Sequence, residues 1–195
     1  MKSVFALVLF PSLSGVLACS LCLTPKVYGS PQDLPSPAAV VKAHPFVSLD
    51  PVPRGKEFQI AVVADIAKGF HMNSHKPTDA YLIPTTLSAD LAKGIELEDT
   101  VYPNGKLEKF SFSPDKPLDV YTGSVTIKLR LAAAADAPLG ATTIRLTLRY
   151  QACNDTTCLP PVKIPVIAKF ELSAAGTSAR AAYPEIFKST TGASK

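Results

Sequence analysis

The chain has 195 residues, and its 20 lysines and arginines against 16 aspartates and glutamates give a formal net charge of +4. This near balance, without a basic run, argues against a nucleic-acid partner, which requires a concentrated positive surface. Tryptophan is absent and aromatic residues make up only 8%, so no stacking platform for bases or sugars stands out. The 18 prolines and 10 glycines favour many short strands over long helices.

The N-terminal segment has the pattern of a secretory signal, which we place at 1–29. Lys2 supplies a minimal positive start, and residues 3–23 are almost wholly apolar and uncharged. Such a signal predicts a periplasmic or secreted protein, in a compartment where disulfides persist. Its processing has open alternatives: cleavage after Ala18 or Gly29, retention as an anchor, or lipidation at Cys19, which would attach the protein to a membrane as a lipoprotein.

Beyond a Pro-rich linker at 30–39, alternation of apolar and polar residues predicts a series of strands. In chain order the predicted strands are 40–49 (interrupted by Pro45), 58–66, 82–87, 95–101, 120–131, 141–152 and 162–169. Many short alternating strands in one domain predict an all-β, immunoglobulin-like β-sandwich over 40–173. The Ala-rich remainder, 174–195, lacks a sustained apolar stripe, and we predict a poorly ordered tail.

Two of the four cysteines flank a short polar turn between the last two predicted strands. Cys153 and Cys158 remain as a pair because Cys19 and Cys22 lie in the predicted signal. Cysteines on the two sides of such a turn can reach the Cα separation of about 5.5–6 Å that is typical of disulfides. So small a loop constrains the unfolded chain little, by about 2 kcal/mol in the loop-entropy account. A bond of this kind is a candidate for being made and broken in function.

The cysteines and nearby histidines also have interpretations other than redox activity. The first is an inert structural disulfide in a secreted β-sandwich that serves binding or assembly, since secreted domains commonly carry such bonds. Structural zinc usually has four Cys or His ligands, which disfavours a zinc site. His71, Met72 and His75 would suit copper, but no further ligand pattern lies nearby. We predict no metal and no cofactor, and we assign Asn154 and Asp155 to turn formation.

Four segments, in order, resemble the N-terminal periplasmic domain of the DsbD family of thiol:disulfide interchange proteins. The segments are 69–77, 81–86, 120–123 and 150–161, of which the last is the most specific. The resemblance covers about 40–172. It implies an immunoglobulin-like fold with one redox-active cysteine pair, here Cys153 and Cys158, and an activity in protein-disulfide reduction.

The resemblance also implies partners. In the family, this domain receives electrons from a membrane-embedded reductase and passes them to periplasmic thioredoxin-fold disulfide proteins, a relay linked to cytochrome c maturation. Because the sequence contains neither a second long apolar segment nor a thioredoxin-like domain, we expect the reductase to be a separate chain. We expect the domain to be a monomer. The family forms its mixed disulfide through the second cysteine, which is Cys158 here.

An aromatic cap over the cysteines is a further implication of the resemblance. In the family, a loop bearing an aromatic residue covers the pair and moves aside when a partner docks. Phe110 and Phe112 precede the third matching segment, and we prefer Phe112 because it lies nearer the turn at Pro114. Tyr121 is the remaining candidate. Ordinary core packing is the alternative for the phenylalanines, since aromatic side chains mostly report burial.

Overall fold

The computed structural model describes residues 34–188. The predicted signal, the first part of the linker and residues 189–195 lie outside the described residues. Over 34–188, no helix has the length and apolar character needed to cross a membrane. The strands are β1 (Val41–Val47), β2 (Leu49–Asp50), β3 (Val52–Pro53), β4 (Glu57–Ile66), β5 (His71–Asn73), β6 (Thr86–Asp90), β7 (Ile95–Val101), β8 (Lys106–Phe110), β9 (Ser113–Tyr121), β10 (Ser124–Ala133), β11 (Gly140–Tyr150), β12 (Ala152–Cys153), β13 (Val162–Ser173) and β14 (Arg180–Ala181). A 3-10 turn (Pro37–Ala39) precedes them, and a four-residue helix, α1 (Pro184–Phe187), follows.

Two four-stranded sheets form the layers of a sandwich. The strand order is β1-β4-β10-β7 in the first sheet and β3-β13-β11-β6 in the second. Both sheets contribute to one buried cluster, with Ile60 and Leu129 from the first and Leu146 from the second. Phe58 and Phe170 meet between the layers with ring centroids 5.2 Å apart. The predicted all-β, immunoglobulin-like β-sandwich is confirmed.

The hairpin of β11 and β13 follows the predicted alternation. The strands pair antiparallel from Gly140 opposite Leu172 to Tyr150 opposite Val162. Successive side chains of a strand point to opposite faces. Burial of a Leu or Ile side chain stabilises a fold by about 1.5–3 kcal/mol, so the apolar face of β11 anchors the second sheet. The buried residues of that face are Ile144, Leu146, Leu148 and Tyr150.

A third, smaller sheet lies at the end of this hairpin and has the order β12-β5-β9-β8. It has a buried cluster of its own, made of Leu82, Phe110, Leu118 and Val120. The chain passes through this sheet three times: at β5, at the β8–β9 hairpin and, through Gln151 after β11, at β12. The small sheet therefore holds Cys153 beside strands that come from distant parts of the sequence.

The predicted strand 120–131 is wrong as a single element. Strand β9 ends at Tyr121 and β10 begins at Ser124 in a different sheet. Between them, Gly123 has φ 67°, a left-handed conformation that glycine adopts without steric cost. The alternation of apolar residues continues across this turn, which is why the sequence pattern conceals it.

Two further predicted strands differ in detail. Pro45 lies inside β1, opposite Val62, and does not interrupt it. This is possible because β1 is an edge strand, where a residue without an N–H can face away from the sheet. The predicted strand 82–87 begins only at Thr86, because the backbone N–H of Thr85 bonds to the carbonyl of Ser74 at 3.1 Å.

The segments that flank the sandwich contact it. The Tyr150 hydroxyl donates a 2.7 Å hydrogen bond to the carbonyl of Pro37, at the end of the linker. After the sandwich, β14 pairs with β2, and Tyr183 packs edge-on against Phe46 with ring centroids 5.0 Å apart. Over 174–188 the expected poorly ordered tail thus carries a short strand and a helical turn, held by contacts that a local apolar pattern does not reveal.

Candidate redox site

Cys153 and Cys158 form a disulfide with an S–S distance of 2.02 Å and a Cα–Cα distance of 4.0 Å. The Cα separation is shorter than expected from the sequence. The two residues face each other across an isolated antiparallel bridge, and backbone hydrogen bonds of 2.9 and 2.8 Å flank the pair on its two sides. This is the non-hydrogen-bonded position of an antiparallel ladder, which brings opposite Cα atoms to about 4.5 Å.

The turn between the cysteines is organised by Asn154. Its Oδ1 atom accepts hydrogen bonds from the backbone N–H groups of Thr156 at 2.9 Å and Thr157 at 2.7 Å, and from the Thr156 hydroxyl at 3.2 Å. At the base of the hairpin, Gln151 Nε2 donates to the carbonyl of Leu159 at 3.2 Å. Asn154 is the turn former that the sequence predicts, and these bonds hold the cysteines together without relying on the disulfide.

The two cysteines differ in exposure. Cys153 lies in β12 and is only 2% exposed, whereas Cys158 follows the turn and is exposed. The next residue, Leu159, is buried and fixes the chain beyond Cys158. Because the rate of thiol–disulfide exchange depends on access to the sulfur attacked, an incoming group from solvent meets Cys158 first.

The tip of the β8–β9 hairpin contacts the cysteine turn. The Ser111 hydroxyl donates a hydrogen bond to the carbonyl of Asp155. On one side of Ser111, Phe110 is buried, with its ring stacked on His71 at a centroid distance of 4.0 Å. On the other side, Phe112 is 43% exposed and stacks on Phe110. The structure thus brings the candidate cap residues Phe110 and Phe112 to the neighbourhood of the cysteines.

Tyr121, the third cap candidate, has a different place. It is buried in the main cluster, and burial raises the pKa of its hydroxyl. That hydroxyl donates to the carbonyl of Pro103 at 2.9 Å and accepts from the backbone N–H of His75 at 3.2 Å. A buried side chain with these bonds supports the floor of the small sheet and does not cover its cysteine edge.

His71 lies directly beside the disulfide. It is the cross-strand partner of Cys153 in the pairing of β5 with β12, and it is only 3% exposed. Within the described part of the chain, its Nε2 atom has no hydrogen-bond partner. Burial lowers the pKa of His71 to about 4, against the opposing effect of the Asp155 carboxylate. The ring is therefore neutral at pH 7.

His75 belongs to separate surroundings. Its Nδ1 atom lies 3.0 Å from the carbonyl oxygen of Thr85, and its ring stacks on Tyr102 with centroids 3.6 Å apart. Across 34–188, no three His, Cys, Asp or Glu side chains are grouped so that they could hold a metal ion. His75 is thus a hydrogen-bonded loop residue, while His71 is the histidine of the cysteine site.

Sequence reasoning did not place His71 next to Cys153 or Ser111 next to Asp155. Both contacts join strands or turns that are far apart in the chain, and three-residue β5 is too short to show a period. Only the histidine itself was a signal, because histidine often acts in proton transfer or metal binding.

No curated protein matches the chain. Similar solved structures include three from two bacterial species. The reduced DsbD N-terminal domain of Neisseria meningitidis has 21% identity and a TM-score of 0.42, covering 76% of this chain and 95% of that one. The complex of DsbD and PilB N-terminal domains from the same species has 18% identity and a TM-score of 0.41, covering 71% and 87%. The N-terminal periplasmic domain of ScsB from Proteus mirabilis has 13% identity and a TM-score of 0.39, covering 71% and 49%.

The family comparison covers most of the described domain. The family model of the N-terminal region of thiol:disulfide interchange protein DsbD matches residues 38–166. The match includes the disulfide, the histidine beside it and both phenylalanines of the hairpin tip. Since it spans more than half of the chain, the protein belongs to the DsbD N-terminal domain family of thiol:disulfide interchange proteins.

Proposed function

We propose that this domain relays electrons in the periplasm by thiol–disulfide exchange through Cys153 and Cys158. It receives them from a membrane-embedded thiol reductase and passes them to thioredoxin-fold disulfide proteins. The observation that carries the proposal is the unequal presentation of one disulfide, with Cys153 buried and Cys158 exposed at the end of a hydrogen-bonded turn. Membership of a thiol:disulfide interchange family supports the same chemistry.

The exchange proceeds in two displacements. In the reduced domain, the Cys158 thiolate attacks the disulfide of the electron acceptor, forms a mixed disulfide and releases one acceptor thiolate. Cys153, after losing its proton, then attacks Cys158 Sγ and releases the second acceptor thiolate. Two electrons leave the domain, whose disulfide is restored. The membrane reductase returns the domain to the dithiol by the reverse sequence.

A movable shield belongs to this proposal, and Phe112 is its outer residue. The hairpin tip rests on the cysteine turn through the hydrogen bond from Ser111 to Asp155. The ring of Phe112 extends the stack of Phe110 toward solvent. A single exposed hydrogen bond contributes little net free energy, about 0.5–1.5 kcal/mol, so a docking partner could displace the tip at small cost.

Export through the predicted signal is also part of the proposal. Cleavage of the signal would release a periplasmic domain, whereas lipidation at Cys19 would tether it near a membrane reductase. The intact mass of the mature protein distinguishes these routes, because a lipid adds a fixed mass to a chain that begins at Cys19.

The cysteine roles can be tested by trapping. Cys153→Ser should accumulate a covalent complex between Cys158 and an oxidised thioredoxin-fold protein, because the resolving thiol is missing. Cys158→Ser should not accumulate such a complex, and the variant with both cysteines replaced by serine is the negative control. Trapping by Cys158→Ser instead would reverse the two roles.

The reduction potential separates exchange from a structural bond. Structural disulfides usually lie below about −300 mV, and exchange pairs lie above that value. A potential above it, measured against glutathione or dithiothreitol, is expected here. A lower potential together with no trapping by either variant would favour a binding or assembly module with an inert disulfide.

A further inference from the structure

We propose that His71 is the proton acceptor for Cys153 when that buried thiol resolves the mixed disulfide. The inference rests on the proposed exchange function and assigns a residue to its second displacement. That displacement requires the Cys153 thiolate. Because Cys153 is buried, and apolar surroundings disfavour a thiolate, its proton needs a receiver close by.

The strand pairing supplies that proximity. His71 and Cys153 are directly opposite residues of antiparallel strands, so their side chains emerge on the same face of the sheet with Cβ atoms about 4.5–5.5 Å apart. The ring is fixed from its other side by stacking on Phe110 at an interplanar angle of 21°. Its Nε2 atom has no hydrogen-bond partner among the residues of 34–188. A buried ring nitrogen that is left free is costly for stability, and proton transfer would give it a use.

The charges around the ring suit an acceptor. A cleft of about 430 Å³ beside the ring is lined by Lys68 from the β4–β5 turn, Glu108 from β8 and Asp155 from the cysteine turn. Burial keeps His71 neutral, with a pKa of about 4 while the disulfide is intact. A negative charge developing on the neighbouring sulfur favours the imidazolium, as do the carboxylates of Asp155 and Glu108, whereas burial of the ring and the charge of Lys68 oppose it.

The step balances without an outside reactant. The neutral ring, protonated on Nδ1, accepts the Cys153 Sγ proton on Nε2. The Cys153 thiolate then bonds to Cys158 Sγ, and the bond from Cys158 to the acceptor sulfur breaks. The departing acceptor thiolate takes the electron pair, and the imidazolium returns its proton to that thiolate or to water.

A chromogenic disulfide separates the two displacements. Reduced protein treated with dithiobis(nitrobenzoate) should release one coloured thiolate as Cys158 attacks and a second as Cys153 resolves. In His71→Phe, which keeps a flat ring against Phe110, we expect an unchanged first release. The second release near pH 7 should be about 100-fold slower, as for the loss of a general base. In this variant the rate of the second release should increase steeply with pH, whereas in the unsubstituted protein the same rate should depend only weakly on pH.

Controls keep the inference separate from a folding defect. His75→Phe, a matched change in the other stacked histidine, should leave both releases unchanged. His71→Gln, a polar substitution, should slow the second release in the same way as His71→Phe. In the unsubstituted protein, a solvent deuterium isotope effect on the second release and not on the first would indicate a proton transfer in that step. Equal second-release rates and pH profiles with and without His71 would overturn the inference while leaving the exchange function intact. A failure of the unsubstituted reduced protein to release any coloured thiolate would instead overturn the proposed function, and the inference with it.

Discussion

Phe110 and Phe112 stack with ring centroids 5.4 Å apart and planes 8° from parallel, although the first ring is buried and the second is half-exposed. The inner ring packs with Leu118 and Val120 in the small cluster and also against His71. The outer ring adds a layer to this stack on the solvent side. One ring therefore stabilises the small sheet, while the other is free to serve as a cover.

Replacing the outer ring should widen access to the disulfide without unfolding the domain. We expect Phe112→Ala to raise the rate at which glutathione or dithiothreitol reduces the oxidised protein. The loss in the free energy of unfolding should be well under the ~3–5 kcal/mol typical of a buried phenylalanine. Phe110→Ala is the matched comparison and should approach that loss. A large loss of stability in Phe112→Ala with an unchanged reduction rate would show that Phe112 is a core residue.

Reduction of the disulfide should leave the sandwich folded. The bond closes a very short loop and contributes about 2 kcal/mol in the loop-entropy account, and the hydrogen bonds of Asn154 and Gln151 hold the hairpin independently. Thermal unfolding of oxidised and reduced protein, followed by circular dichroism, should differ by only several degrees. Loss of the folded state on reduction would identify the bond as a structural one.

Asn154→Ala should make the disulfide easier to reduce. Three hydrogen bonds accepted by Asn154 close the turn in the disulfide form, and we expect them to keep it closed in the reduced protein as well. Without them, oxidation must also order the turn. If the oxidised form loses about 1–2 kcal/mol of stability relative to the reduced form, the reduction potential becomes less negative by about 20–40 mV. Equilibration with glutathione measures the shift, and Asn104→Ala, at an exposed asparagine outside the turn, is the control. An unchanged potential would mean that the backbone alone holds the turn.

Acid should destabilise the protein in part through His71. Its pKa falls from 6.5 in the unfolded chain to about 4 in the fold. The unfolded state therefore binds more protons between these values, so stability is complete above pH 6.5 and declines as the pH falls toward 4. The loss is on the order of 3 kcal/mol. The free energies of unfolding by urea of the unsubstituted protein and of His71→Phe should diverge over this range. Carboxylates titrate in both proteins and cancel in the comparison, so the difference reports His71. Equal acid sensitivity would contradict a depressed His71 pKa.

Much of the sandwich could be predicted from the sequence because its strands are long and half-buried. β4, β11 and β13 show the period of two that a two-faced strand requires. In contrast, β9 runs through Ser113, Pro114 and Pro117, residues that indicate a turn when judged locally. This segment is a strand because it pairs with β5 and β8, and such long-range pairing is not visible in the local sequence pattern.

The candidate site was predicted only as far as its cysteines. The spacing of Cys153 and Cys158 and the resemblance to a redox family identified the reactive pair, and the phenylalanines were located near it. The environment of Cys153 was not predictable, because His71 reaches it through the pairing of two very short strands. Copper binding by this histidine and His75 was considered and disfavoured for want of further ligands, and in the structure the two rings stack on different neighbours.

The β8–β9 hairpin of the small sheet is supported by a packing cluster that is distinct from the one inside the sandwich, to which only the last residue of β9, Tyr121, belongs. Local opening requires only the free energy held in the region that opens. Backbone amides of β8 and β9 should therefore exchange with deuterium long before those of β11 and β13. A partner that moves only the outer end of the hairpin tip, at Ser111 and Phe112, would leave the four buried side chains of this cluster packed, and the main body of the domain would remain intact throughout the encounter.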